Sequence, residues 1–472
     1  MLHGEHKAEG ALASLRVWLV HDWLTGMRGG ERVLLELVRV FPQARIATLF
    51  YVPRAVDSEL ESRIAATSFL QKVPGIGRAY RNLLPLMPAA VRSLRLRGGC
   101  DLVISSSHCV AKGVRVPAGT PHLCYCHTPA RYLWGMEDQY IGRWGVRRWA
   151  LAAVAGRLRR FDVESNAGVT AFVANSHNVA RRIERCYQRP ATVIHPGIDE
   201  TFYVPAAAGD ASPWPRPYYL VVSALVGYKR VDLAVRAFGD GCIRRSVANP
   251  PRDRKGSTHA LGATPVPVAR ASRPWTPEGA SMAPSGVRSH GRFGHGDFAP
   301  AHSPPQPDVP FGQDADLKGR DLVIIGGGPE ENRLRKMARG MINVHFLGQQ
   351  DDEVVRKYYQ HCAALVFPGE EDFGLTPLEA QACGKPVIAY AAGGVLETVV
   401  PLQVEGVAGA TGVLFEEQSA EGVRTGVRTL EEHRTRFDAP AIRRQALGFT
   451  AARFRSEMAR AVQELLATPA AH

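Results

Sequence analysis

Short apolar runs recur along this chain with helical patterns between them, and this rhythm limits the fold more than any other feature. Leu15–Val20, Leu102–Ser105, His122–Cys126, Ala171–Ala174 and Thr192–Ile194 form one series. Tyr218–Ser223, Leu322–Ile325, Val344–Leu347, Ala364–Phe367 and Pro386–Ala389 form a second. Runs this short that are apolar at successive positions suit strands buried on both faces, as in parallel sheets covered by helices. The alternation therefore predicts the α/β class, with two doubly wound domains. At 472 residues the chain is long enough for two to three cores. The boundary is expected in the Pro- and Ala-rich stretch before Pro217, giving a first domain of residues 1–205. The second would comprise 206–240 and 321–445, and a closing helix in 446–472 is expected to return to the first.

One region breaks the rhythm. Gly241 to Arg320 holds 12 prolines and 10 glycines in 80 residues, without sustained apolar periodicity. A structureless loop of that length is unusual inside a compact domain. The stretch 241–320 is read as a disordered insertion in the second domain, and a locally corrupted reading frame would look the same.

The richest local pattern follows the Ala364 run: Phe367-Pro-Gly-Glu-Glu-Asp-Phe-Gly-Leu-Thr-Pro-Leu-Glu379, then Ala380-Gln-Ala-Cys-Gly-Lys-Pro-Val-Ile-Ala389. It reads as strand, Gly-containing turn, helix and second strand. A helix starting near Thr376 aims free N–H groups and the positive end of its dipole at the turn, which makes an anion site. Glu371 and Glu379 flank it. Two carboxylates around a phosphate site suit the hydroxyl-rich ends of a sugar nucleotide, although a bare pair of glutamates also fits an ordinary crossover.

Other positions at strand ends carry chemistry. Gly29 and Gly30, in a loop after the first strand, let backbone approach a ligand. His127 closes the His122 strand, and His108 closes a neighbouring one. Lys229 and Arg230 follow the Tyr218 strand; adjacent cations there suit a diphosphate, and at a helix start they oppose the dipole. Gly326-Gly-Gly-Pro-Glu330 follows the Leu322 strand and contains Gly327. Val344-His-Phe-Leu-Gly348 ends in Gly348.

These motifs resemble, in order from Val17 to about Val399, the retaining glycosyltransferases of family 4. The Glu371…Glu379 spacing matches that family's paired-glutamate signature. Cys126-His-Thr-Pro-Ala-Arg-Tyr-Leu-Trp134 and Tyr228-Lys-Arg-Val-Asp232 are similar to those of bacterial surface-polysaccharide mannosyltransferases. The resemblance implies the GT-B fold, two Rossmann-like domains facing a central cleft. It implies that Glu371 orients the transferred sugar, Glu379 the ribose, Lys229 and Arg230 the diphosphate, and His127 the hexose. Gly29, Gly30, Gly327, Gly348, Phe373, Gly374, Leu375 and Thr376 would complete the donor site. The family usually carries Arg five residues before this Lys; here Ala224 stands there, and whether Arg230 takes over is left open. The leaving diphosphate would help to take the acceptor's proton.

The expected reaction is transfer of a hexose, mannose from GDP-mannose, to a lipid-linked or polysaccharide acceptor, with no cofactor and no metal. A sugar-nucleotide epimerase of the same fold and a catalytically impaired nucleotide-sugar binder are the competing readings. The formal charge of +13 also calls for a partner. Lys72, Arg78, Arg81, Arg92, Arg95 and Arg97 fall in an acid-free stretch, and Trp144–Phe161 is similarly basic and apolar. Both stretches fit an anionic membrane surface, and equally fit solvated helices whose arginines cover the core. No nucleic-acid module accompanies the charge. The N-terminus shows no signal pattern and no run spans a bilayer, so a cytoplasmic protein, peripheral on the inner membrane face, is expected. The eight cysteines lack metal spacing and read as reduced, buried thiols.

Overall fold

The described residues form thirteen strands. In the first half these are β1 (Val17–His21), β2 (Arg45–Thr48), β3 (Ile64–Thr67), β4 (Leu102–Ser107), β5 (His122–Cys126), β6 (Ala171–Ala174) and β7 (Ala191–Val193). In the second half they are β8 (Tyr218–Val222), β9 (Asp321–Ile325), β10 (Val344–Gly348), β11 (Leu365–Phe367), β12 (Val387–Tyr390) and β13 (Gly412–Phe415). The structure is a computed structural model and describes residues 12–134, 146–239, 317, 319–402 and 409–467. The described residues all lie in one compact unit, within residues 1–243 and 311–472.

All registered strand pairs are parallel. The first sheet runs β3-β2-β1-β4-β5-β6-β7 and the second β10-β9-β8-β11-β12-β13. In each, the order reverses beside the first strand, between β1 and β4 and between β8 and β11. Open α/β sheets form a crevice at such a reversal, beyond the carboxyl ends of the strands. Both halves have this doubly wound plan, and the whole is a GT-B fold.

Burial on both sheet faces explains the apolar runs. Val17 and Leu19 of β1 enter one core while Trp18 and Val20 enter another. In β9, Leu322 and Ile324 face one side, Val323 and Ile325 the other. Each such side chain contributes about 1.5–3 kcal/mol when fully buried. Strands β2, β3 and β13 were not among the expected runs. Arg45 opens β2, two alanines fill β3, and in β13 the apolar run after Gly412 is only three residues long.

Several boundaries differ from the sequence reading. The helix expected from Glu31 begins at Gly29 and runs to Val40, so the diglycine lies in its first turn rather than in a loop. Ile198 and Tyr203 sit in the core of the second half, before the expected boundary at 205, because their apolar surface finds Leu220, Tyr359 and Phe373 there. The disorder expected for 241–320 concerns residues that lie almost wholly outside those described. At its end, however, Leu317 is buried in the core that contains Phe238, and Arg320 pairs with Glu431 at 2.5 Å. The helix Ala451–Ala467 places Phe454, Met458 and Val462, one turn apart, in the same core as Val33, Leu34 and Leu37 of the first half. Arg455 of that helix meets Glu36 at 2.5 Å. No helix among the described residues is long and apolar enough to cross a membrane. The seven cysteines among the described residues are free thiols.

Candidate active site

At the reversal point of the first sheet, β1 delivers His21 and Asp22, β4 delivers Ser106 to His108, and β5 delivers His127. Asp22 is fully buried. Its Oδ2 accepts the backbone N–H groups of His108 and Cys109 at 2.8 and 2.9 Å. Its Oδ1 accepts those of Val110 and Ala111 at 2.7 and 2.8 Å. Four backbone donors keep the charge solvated without water. Ser106 Oγ bridges His21 Nδ1 at 3.0 Å and His127 Nε2 at 2.8 Å. Burial, then the neighbouring His108, lowers His21 to about 3; burial, then His108 and His21, lowers His127 to about 3. Both imidazoles are therefore neutral at pH 7. A Cβ on Gly30 would lie 3.5 Å from the His21 ring and 3.7 Å from His127 Nε2, so a longer side chain there would fill the space above them.

At the reversal point of the second sheet, a turn at Gly227–Lys229 follows β8 and a Gly-rich turn follows β9. Gly326 has φ +130°, and a Cβ there would fall 1.9 Å from the Ser223 carbonyl oxygen, so only glycine fits. Its N–H donates to the Gly348 carbonyl at 2.8 Å, joining the two loops expected beside the donor, and the Gly327 carbonyl accepts from Leu225 N–H at 3.0 Å. After β11 the chain turns through Glu371, Asp372 and buried Phe373. Gly374, at φ +85°, then opens the helix Leu375–Ala382, with Thr376 in its first turn. Lys229 and Glu371 form an ion pair at this point. Arg230 adopts a left-handed backbone and engages Asp232 at 3.2 Å and Gln418 at 3.3 Å, so the two adjacent cations have different partners.

Glu379 sits one turn into the helix, 6% exposed. Tyr359 OH donates to Oε2 at 2.9 Å and Arg32 Nη1 to Oε1 at 3.3 Å. Burial raises the Glu379 pKa, and the Arg32 charge opposes this. Tyr203 adds a further hydrogen bond to the same carboxylate. Arg32 comes from the helix Gly29–Val40, so this contact joins the two halves, and Arg32 also meets Asp352 at 2.8 Å. Gly29 lies close by, where a Cβ would be 3.6 Å from Leu375 Cδ1.

The residue between the glutamates joins the halves as well. Buried Asp372 accepts from Arg131 Nε at 2.8 Å and Arg182 Nη1 at 3.0 Å, while Ser176 Oγ donates to its carbonyl at 2.6 Å. Arg131 also lies over the Tyr228 ring at 5.2 Å. Glu397 accepts the N–H groups of His177 and Asn178 at 2.9 and 3.0 Å and meets His195 Nε2 at 2.9 Å. His177, His195 and Glu397 are close enough to hold a metal ion. Both carboxylate oxygens, however, already cap the helix His177–Tyr187.

Residues 27–202 match the model for Glycosyltransferase Family 4, and residues 314–446 match that for Glycosyl transferases group 1; together they cover well over half the chain.

This chain belongs to the family 4 glycosyltransferases.

The glycosyltransferase is 35% identical over 124 residues to the D-rhamnosyltransferase WbpZ of Pseudomonas aeruginosa, covering 25% of this chain and 31% of that one. It is 41% identical over 73 residues to the O-antigen chain mannosyltransferase C of Escherichia coli, covering 14% and 20%. The matched segments thus span less than a third of these relatives. The Anabaena protein Alr3699/HepE, solved in complex with UDP-glucose, has the same fold: TM-score 0.57 at 16% identity, over 95% of this chain and 99% of that one.

The sequence reading missed Asp22, His21, Arg32, Arg131, Arg182 and Asp372. Asp372 stands inside the glutamate string and Arg131 inside the His127 motif. An unmatched charge in each was the available signal.

Proposed function

We propose that the glycosyltransferase transfers a hexose, mannose from GDP-mannose, to a lipid-linked or saccharide acceptor with retention at the anomeric carbon. The observation that carries this reading is the Lys229–Glu371 pair at the second sheet's reversal point, beside the Gly326 turn and the start of the helix Leu375–Ala382. The Lys229 ammonium and the helix N–H groups suit a diphosphate whose charge grows as it leaves. Glu371, released from Lys229 when the diphosphate takes its place, orients the hexose. Glu379 holds the ribose, and His127 faces the hexose from the first half. Gly29, Gly30, Gly327, Gly348, Phe373, Gly374, Leu375 and Thr376 shape the donor site. Catalysis is then mainly positioning and charge stabilisation. Mannose is favoured by the mannosyl- and rhamnosyltransferase relatives and by the Cys126–Trp134 motif.

A membrane-facing acceptor side has one observation behind it. Arg92, Arg157 and Arg160, with the single acid Glu164, line a groove with Val154, Leu158 and Phe161, and Arg92 stacks on the Phe161 ring at 4.9 Å. Cations above an apolar floor suit an anionic lipid surface.

A donor panel tests the reading. A ligand that binds only the folded state raises Tm by mass action. Among GDP-, UDP-, ADP- and dTDP-sugars, GDP-mannose is expected to give the largest shift. A larger shift with another nucleotide reassigns the donor, and binding without turnover across acceptors selects the impaired binder.

A further inference from the structure

Resting on that reading, we infer that Arg131 and Arg182 are positioning residues for the transfer. By gripping Asp372 they hold the turn that carries Glu371 in register with the strand end that carries His127. Side chains of the first half gather on this one residue. Arg131 Nε donates to its Oδ2 at 2.8 Å, Arg182 Nη1 to its Oδ1 at 3.0 Å, and Ser176 Oγ to its carbonyl at 2.6 Å, while Asn178 Nδ2 stands 3.5 Å from Oδ1. The routes from this grip to the two sugar-facing residues are short. On the first half, Arg131 follows His127 by four positions, and Asn175 Nδ2 donates to the His127 carbonyl at 3.1 Å. Ser176, the next residue, is the one that holds the Asp372 carbonyl. On the second half, Asp372 is the direct neighbour of Glu371, whose own carbonyl accepts the Gly394 N–H at 2.8 Å. Glu397 caps the helix His177–Tyr187, the same helix that brings Arg182. The turn is thus fastened from both halves.

Net stability does not account for this cluster. Taking three charges out of water offsets most of their attraction, and apolar side chains of similar volume would join the halves about as firmly. What the charges supply is direction. Arg131 meets Asp372 Oδ2 through both Nε and Nη2, so the turn cannot slide without losing both bonds. A misplacement of about 1 Å at a reacting centre costs about 100-fold in rate. Arg131 also covers the Tyr228 ring, next to Lys229, which pairs with Glu371. The nucleotide end of the proposed donor site rests on Lys229 and Glu379, both of the second half. Losing the grip should therefore lower turnover and spare donor affinity.

The test is a double-mutant cycle on kcat with GDP-mannose, using octyl α-D-mannoside and water as acceptors. Binding of GDP-mannose is followed by calorimetry and folding by Tm, and rates are read well below each variant's Tm. Arg131→Ala should bind donor within about threefold of wild type and lose about 30-fold or more in kcat for both acceptors. Because Arg131 acts through Glu371, adding Arg131→Ala to Glu371→Ala should lower the residual rate by less than about threefold. A second variant replaces the grip with apolar contact: Arg131→Met, Arg182→Met and Asp372→Leu together. It should keep a Tm near that of wild type and still lose kcat as Arg131→Ala does. Wild-type kcat in either variant overturns the assignment while leaving the transferase reading intact. Equal losses with and without Glu371 also overturn it, since Arg131 would then act independently of that residue. So does a parallel loss of donor binding, which would show that Arg131 holds the donor itself. A wild-type protein that transfers to neither acceptor overturns the donor reading and the inference with it.

Discussion

Lys229 and Glu371 neutralise each other at the reversal point of the second sheet, in the position proposed for the donor diphosphate. A diphosphate that displaces Glu371 from Lys229 gains a charge-assisted contact that a nucleoside cannot make. Lys229→Ala should therefore weaken GDP and GDP-mannose at least tenfold and guanosine little, by calorimetric titration. Equal loss for all three would show that Lys229 supports the fold.

The two glutamates should fail differently. Glu371→Ala should act mainly on kcat, since it orients the reacting sugar, and Glu379→Ala mainly on donor affinity. Steady-state kinetics and calorimetry on both variants separate these effects. Full activity in both would remove the pair from the site.

Asp372 holds Arg131 and Arg182 of the other half with little access to solvent. Asp372→Asn keeps the shape but removes the charge that faces two largely buried cations, at a cost of about 3–5 kcal/mol. Scanning calorimetry should show a clear fall in Tm. An unchanged Tm would mean that this contact does not hold the halves together.

Glu31 is buried at the start of the helix Gly29–Val40, and burial raises its pKa from the ordinary 4.5 to about 7. The folded state then holds this proton more tightly than the unfolded chain. Its contribution is intact below pH 4.5 and is lost as pH rises to about 7, at a cost of about 3 kcal/mol. Glu31→Gln should therefore match wild type at pH 4 and melt higher at pH 8. Equal Tm differences at both pH values would contradict the shift.

What the sequence made legible was local. Glu371 and Glu379 could be read because the strand, turn and helix that place them are continuous, and the strands flanking both reversal points carry dense apolar runs. Asp22 could not be read in the same way. Its role depends on four N–H groups from a loop 86 to 89 residues further along the chain. Arg131 and Asp372 are 241 residues apart, and their pairing follows only from how the halves meet. The diglycine was taken for a loop, yet it opens the helix Gly29–Val40, where a Cβ on either residue would make only ordinary contact with His21 or Leu375.

The anomeric configuration of the product tests the central claim most directly. With α-linked GDP-mannose and a defined acceptor, proton NMR of the initial product should show an α-linkage, made only when donor and acceptor are both present. A β-linked product, or an epimerised sugar nucleotide formed without acceptor, would contradict retaining transfer at this cleft.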